Sequence, residues 1–322
     1  LGGFLPRSFA RWIKLAETPL FFRTSHIVPK RISFLSALTI LSVWTAAYPA
    51  FGQALVPHML QLDTKKLEQQ GIGLVQEATQ LAQFQQFDLA LSRARLATQL
   101  APNLPEAWAV LGGLYLQANQ VDPGINALKR AQTLDPRNAA ILFALGTANF
   151  QKTNYKDSID YIQAGLKLKP NVPGALFDLG NAHLMLKQNR EAIASYEKAY
   201  AQDKEYWPAI NNVALVKYEQ GNIDEAIRLW RSSVAIDPKA AEPKLAAAVA
   251  LYNKGDREQG LTLGEAAIRL DSRYGDLKFL KDNLWGEKLL VATQKFLSVP
   301  RIQATIAQAQ SASPAQPQRP EQ

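Results

Sequence analysis

Residues 105–138 read PEAWAVLGGLYLQANQVDPGINALKRAQTLDPRN, and this stretch decides the fold. Its late proline, Pro136, has counterparts at Pro102, Pro170 and Pro238, consecutive members of the series lying 34 or 68 residues apart, in the settings Ala101-Pro102-Asn103, Asp135-Pro136-Arg137, Lys169-Pro170-Asn171 and Asp237-Pro238-Lys239. A fixed period of this size marks stacked supersecondary units, none of which can bury its apolar face alone. With the prolines at position 32, six units of 34 residues tile residues 71–274 without insertion.

Other columns of the same ruler carry the physics. Position 8 reads Ala78, Gly112, Gly146, Gly180, Ala214, Ala248; position 20 reads Ala90, Gly124, Ser158, Ala192, Ala226, Gly260; position 27 reads Ala97, Ala131, Gly165, Ala199, Ser233, Ala267. Every one of these 18 slots is Ala, Gly or Ser, although those types fill only 79 of the 322 positions. Two helices approach to about 8–10 Å only where the crossing side chains are small. A glycine inside a helix costs about 1 kcal/mol against alanine, so glycines at fixed columns mean that close packing outweighs propensity. Large apolar residues fill complementary columns: Leu74, Trp108, Leu142, Leu176 and Ile210 at position 4; Leu111, Leu145, Leu179 and Val213 at position 7; Leu128, Ile162, Tyr196 and Trp230 at position 24; Leu100, Leu134, Leu168, Ile236 and Leu270 at position 30. Asn119, Asn154, Gly221-Asn222 and Gly255-Asp256 supply the turns inside units, and Asp122-Pro123 reads as an N-cap followed by proline at the first helical position.

The pattern Trp108-x-x-Leu111-Gly112-x-x-Tyr115, followed by Gly124, Ala131 and Pro136, resembles the tetratricopeptide repeat family, and the resemblance covers residues 71–274. It implies an all-α protein, a right-handed α-solenoid of helix-turn-helix repeats whose concave groove is lined by the first helix of each unit. The outer units depart from the pattern: Glu77 and Ala94 in the first, Lys244, Ala247, Gly264 and Ser272 in the sixth. Terminal repeats are commonly atypical because they meet solvent or a cap.

Around the array the expected organisation is as follows. Residues 1–54 are a leader, with a doubtful preface over 1–27 and a secretory signal peptide at about 28–54: Lys30-Arg31, then 17 uncharged residues from Ile32 to Tyr48, then Pro49 and the small-x-small exit Gly52-Gln53-Ala54. The alternative is a retained membrane anchor over 32–48, since 17 residues just reach the lower end of a bilayer span. Residues 55–70 lead into the array, with Asp63 able to cap a helix through Leu67. Capping helices follow over 275–306, one from Asp276 to Trp285 and one from Glu287 to Leu297, before Pro300 breaks the chain; residues 307–322 read as a disordered Gln/Pro/Ala tail. The leader suggests an exported protein of the periplasm or a thylakoid lumen, and the exit sequence resembles those of cyanobacterial exported proteins.

The net charge of +8 is mostly the leader's: residues 1–54 hold six Lys/Arg and one acid, leaving 30 basic and 27 acidic residues for the rest. That is no dense basic face, so nucleic acid is not an expected partner. The absence of cysteine excludes disulfides, thiolate metal sites and a cysteine nucleophile. With three histidines and no phosphate loop or nucleophile elbow, no metal, cofactor or catalytic residue is expected, and the chain does not read as an enzyme. Function is expected in the groove, at positions 2, 5, 9, 12 and 13 of the first helices, as the resemblance implies. No position 5 is Lys or Arg, which disfavours the clamp by which some family members hold a carboxylate terminus. What remains is an apolar strip, Phe143, Phe150, Phe177, Leu184, Met185, Tyr218 and Tyr252, with the amides Asn181 and Asn211, suited to a partner protein or peptide. The expected function is a non-enzymatic interaction scaffold or assembly factor outside the cytosol, or else a membrane-anchored structural subunit of an envelope or thylakoid complex.

Overall fold

A computed structural model describes residues 63–312, and among these every regular element is a helix. The leader, including the span at 32–48, and residues 313–322 of the tail lie outside the described residues. The first helices of the six units are α1 (Thr64–Gln83), α3 (Pro105–Gln117), α5 (Ala139–Gln151), α7 (Pro173–Met185), α9 (Trp207–Glu219) and α11 (Ala241–Lys254). The second helices are α2 (Phe87–Leu100), α4 (Val121–Leu134), α6 (Tyr155–Leu168), α8 (Asn189–Gln202), α10 (Ile223–Ile236) and α12 (Arg257–Leu270). Each second helix occupies positions 17–30 of its unit, and from the second unit onward each first helix starts at position 1. Consecutive helices pack against one another from α1 to α12, giving the α-solenoid.

The turn inside each unit is a single backbone device. Position 15 lies at positive φ in all six: Gln85, Asn119, Thr153 and Lys187 near 60°, Gly221 at 89° and Gly255 at 109°. The residue after it donates its N–H back to position 11, as in Gln120 to the Tyr115 carbonyl at 2.8 Å and Gln188 to that of His183 at 2.9 Å. This is a Schellman motif, which satisfies carbonyls that a helix end leaves bare. Thr153 rather than Asn154 takes the left-handed residue of its unit, and Asp122 is not an N-cap, because α4 begins at Val121 behind Gln120. Asp122 instead sits in the first turn, where its charge favours the positive end of the helix dipole.

All 18 small residues at positions 8, 20 and 27 are buried. A Cβ on Gly112, Gly146 or Gly180 would come within 2.6, 2.4 or 2.5 Å of Leu128, Ile162 or Tyr196, so position 24 of each second helix fills the notch that position 8 leaves in the first. Trp230, Tyr196 and Leu128 are fully enclosed there. Position 30 is not part of this core: Leu168 and Leu270 are 41 % and 45 % exposed, because the last turn of the second helix already points past the partner helix. The apolar interior is a row of five clusters rather than one core.

Beyond the array, a 3-10 turn (Ser272–Gly275) leads to α13 (Leu277–Asp282), α14 (Glu287–Leu297) and α15 (Pro300–Ala312). The helix expected from Asp276 to Trp285 is thus only six residues long, capped by the Asp276 side chain. Pro300 does not break the chain but opens α15, where the missing N–H costs nothing. That helix runs through 307–312, which the composition alone had marked as disordered; Ile302 and Thr305 are buried and Ile306 packs on Gly275. α15 lies along α12, held by Arg301 between Glu258 (2.7 Å) and Glu265. The hydrogen bond and charge of Arg301 hold the Glu265 carboxyl below its usual range. Gly264, which interrupts the large residues of position 24, is explained by α14: the Phe296 ring fills its notch, and a Cβ there would meet the ring at 2.5 Å.

Candidate interaction groove

The first helices present the face expected to be concave. Positions 2, 5, 9, 12 and 13 carry no Lys or Arg in any of the six units, and their acids are Glu106, Glu219 and Glu242. The structure separates the nine predicted groove residues into three groups.

Three are sealed. Phe143 is 2 % exposed because its ring lies in the notch of Gly165, whose Cβ would approach it to 2.5 Å. Asn211 is 1 % exposed and donates to Asn212 Oδ1 at 3.2 Å. Tyr218 packs at a tilt on Trp230, ring centroids 5.8 Å apart, and burial raises its hydroxyl pKa. These side chains belong to the core, so an alanine at any of them would test folding before binding.

Tyr252 is half-buried under the protein's own tail. Its ring meets Phe296 of α14 edge to face at 5.3 Å. α14 lies against both α9 and α11. Glu219, at position 13 of unit five, receives the Lys288 N–H at 3.1 Å and the Leu289 N–H at 2.9 Å, while its main-chain carbonyl receives Lys288 Nζ at 2.6 Å. Trp285 Nε1 donates to Glu242, at position 2 of unit six, at 3.1 Å. The contacts fall on positions 2, 12 and 13, the groove-lining columns, so the groove of units five and six is filled from within the chain.

Five remain accessible. Phe150 is half-buried and edge to face with Tyr155 at 5.3 Å; Phe177 is half-buried between Tyr196 (5.5 Å) and Tyr206 (5.6 Å); Leu184 is half-buried and Met185 exposed. Asn181 Oδ1 accepts from the Tyr196 hydroxyl at 2.7 Å and from Asn212 Nδ2 at 3.0 Å. Tyr196 is fully buried, which pushes its pKa far up and keeps it a neutral donor. Next to this network Thr147 Oγ1 donates to Asp178 Oδ2 at 3.4 Å. The amides of units four and five are therefore tied to one another.

Sequence reasoning missed Glu219, Glu242 and Asn212. A signal existed for Glu219, since position 13 otherwise reads Gln83, Gln117, Gln151, Met185 and Asn253, and one carboxylate among them stands out. Among the described residues no group of three or more His, Asp or Glu could hold a metal ion, and no helix is long and apolar enough to cross a membrane.

Comparison with known proteins agrees with this architecture. The family described as "Tetratricopeptide repeat" matches residues 111–173, 143–206 and 214–274. Among solved structures, PilW, described as a widely conserved type IV pilus biogenesis factor, is 19 % identical with a TM-score of 0.58, over 66 % of this chain and 98 % of that one. PilF of Pseudomonas aeruginosa is 17 % identical with a TM-score of 0.57, over 68 % of this chain and 99 % of that one. At such identities the likeness is one of fold. No curated protein matches the sequence.

Proposed function

Because the chain belongs to the tetratricopeptide repeat family, we propose that it is a non-enzymatic scaffold or assembly factor that holds a partner protein in the groove of its first helices. The observation that carries this reading is the accessible strip Phe150, Phe177, Leu184 and Met185, which no element among the described residues covers as α14 covers units five and six. Partly exposed aromatic and aliphatic side chains on a rigid helical face are suited to anchoring an apolar segment. The leader supports a site of action outside the cytosol, in the periplasm or a thylakoid lumen. Its 17 uncharged residues also support a second reading, a subunit anchored by residues 32–48.

Capture from the native compartment, with wild type against Phe177→Ala/Met185→Ala, tests the groove. Loss of the partner with little change in Tm supports the reading; capture undiminished by the double exchange refutes it. The mature N-terminus, read by protein sequencing, separates export with cleavage from a retained anchor.

A further inference from the structure

We infer that the open groove of units two to four takes an amphipathic α-helix from its partner, in preference to an extended peptide. This rests on the groove reading above and adds the form of the occupant.

The first observation is that the same face already holds a helix. α14 lies on α9 and α11 through positions 12 and 13, with Leu289 and Phe296 fully buried and Gln294 and Lys295 exposed, while Trp285 just before it reaches position 2. Its first backbone N–H groups, which a helix start leaves unsatisfied, are taken by Glu219. The open stretch continues the same columns, with Phe150, Leu184 and Met185 standing at positions 12 and 13.

The second observation concerns hydrogen bonding. An extended peptide exposes a main-chain N–H and C=O at each residue, and a groove that buries it must meet them. Here Asn181 Oδ1 is committed to Tyr196 and Asn212, and Asn211 Nδ2 to Asn212 Oδ1, while the acceptors left without a partner, Asn211 Oδ1 and Gln151 Oε1, are buried rather than presented to an occupant. A helix satisfies its own backbone and needs from the groove only apolar contact. Charge points the same way: without Lys or Arg at the lining positions, and with Glu106 at its edge, the groove suits a neutral or basic segment. Three first helices about 10 Å apart span about 20–30 Å, and at 1.5 Å per residue that length corresponds to about 14–20 helical residues.

The test selects peptides on the immobilised full chain from two 16-residue display libraries. One has randomised apolar residues at i, i+3, i+4 and i+7 in a helix-forming Ala/Lys/Gln background; the other has the same composition with a central proline. Each is also selected on Phe177→Ala/Met185→Ala. Enrichment of at least tenfold from the helical library, lost on the double variant and absent from the proline library, is the expected result. Enrichment of proline-containing peptides that depends on Phe177 and Met185 keeps the groove but overturns the helical mode. Peptides enriched equally on the variant, or no enrichment from either library, overturn both.

Discussion

Two glycine-to-alanine exchanges in this array should have opposite effects, although both lie inside first helices. At Gly73 in α1 nothing stands within 4 Å of an added Cβ, so only the backbone term operates. Alanine there gains about 0.5–1 kcal/mol, because glycine has more conformational freedom to lose. At Gly180 in α7 the added Cβ would meet Tyr196 Cε1 at 2.5 Å and Cδ1 at 2.6 Å, where ordinary contact begins near 3.4 Å. The ring must retreat by roughly 1 Å, and overpacking of this kind costs about 1–3 kcal/mol. Tyr196 has no exposed edge and its hydroxyl is tied to Asn181, which puts the cost near the upper end. Subtracting the backbone gain leaves Gly180→Ala destabilising by about 2 kcal/mol. With a urea m-value of about 2 kcal/mol/M, the midpoint falls by about 1 M for Gly180→Ala and rises by about 0.4 M for Gly73→Ala. Because repeat arrays lose strict two-state cooperativity, hydrogen exchange in α7 and α8 should accompany the urea titration. In a double-mutant cycle with Tyr196→Ala the clash should vanish, as unit one already pairs Ala78 with Ala94. A midpoint that rises for both single exchanges would refute the close-approach argument.

Three further outcomes follow from the carboxyl-terminal half. Phe296→Ala empties the notch at Gly264 and should cost about 3–5 kcal/mol, seen as lost exchange protection confined to α13–α15 and the last unit. Ala247→Leu restores the residue type that position 7 carries in units two to four; it grows toward a cleft of about 460 Å³ lined by Leu251, Leu263 and Arg231, and should raise the urea midpoint by an amount equivalent to about 1 kcal/mol. Glu265 has a folded pKa below its unfolded value, so its contribution is complete above the ordinary carboxylate range and is lost as pH falls through the lowered value. Exchange protection of α15 should therefore fall with that acidification in wild type, and Glu265→Gln should show the loosened helix already at neutral pH.

Much of the architecture was legible because it repeats. One glycine at position 8 says little, but Gly112, Gly146 and Gly180 at one column, with Leu128, Ile162 and Tyr196 opposite, describe a helix crossing. What the pattern could not convey was direction within a helix pair and the path of the chain after the array. Phe143 and Phe177 share position 5, yet one is closed over Gly165 while the other, whose unit has Ala199 at the matching place, stays half-open. Tyr218 is aromatic at a groove column but turns onto Trp230, a second-helix residue of its own unit. The return of α14 onto α9 was not readable because Glu219 and the N-terminus of α14 lie about 70 residues apart, outside the 34-residue period. Thr153 and Lys187 at positive φ were invisible for a related reason: packing of the helix pair imposes the turn, whatever residue stands there.

A stack of identical units is an open polymer, and its last unit presents the surface that the next would cover. In this chain α15 lies along α12, where a seventh first helix would go, and α14 closes over α11 from the side. The tail thus acts as a chain terminator. It fixes the number of units at six in this direction and denies a second copy the face needed for end-to-end growth, so lengthening by duplication can proceed only upstream of the Gly264 notch.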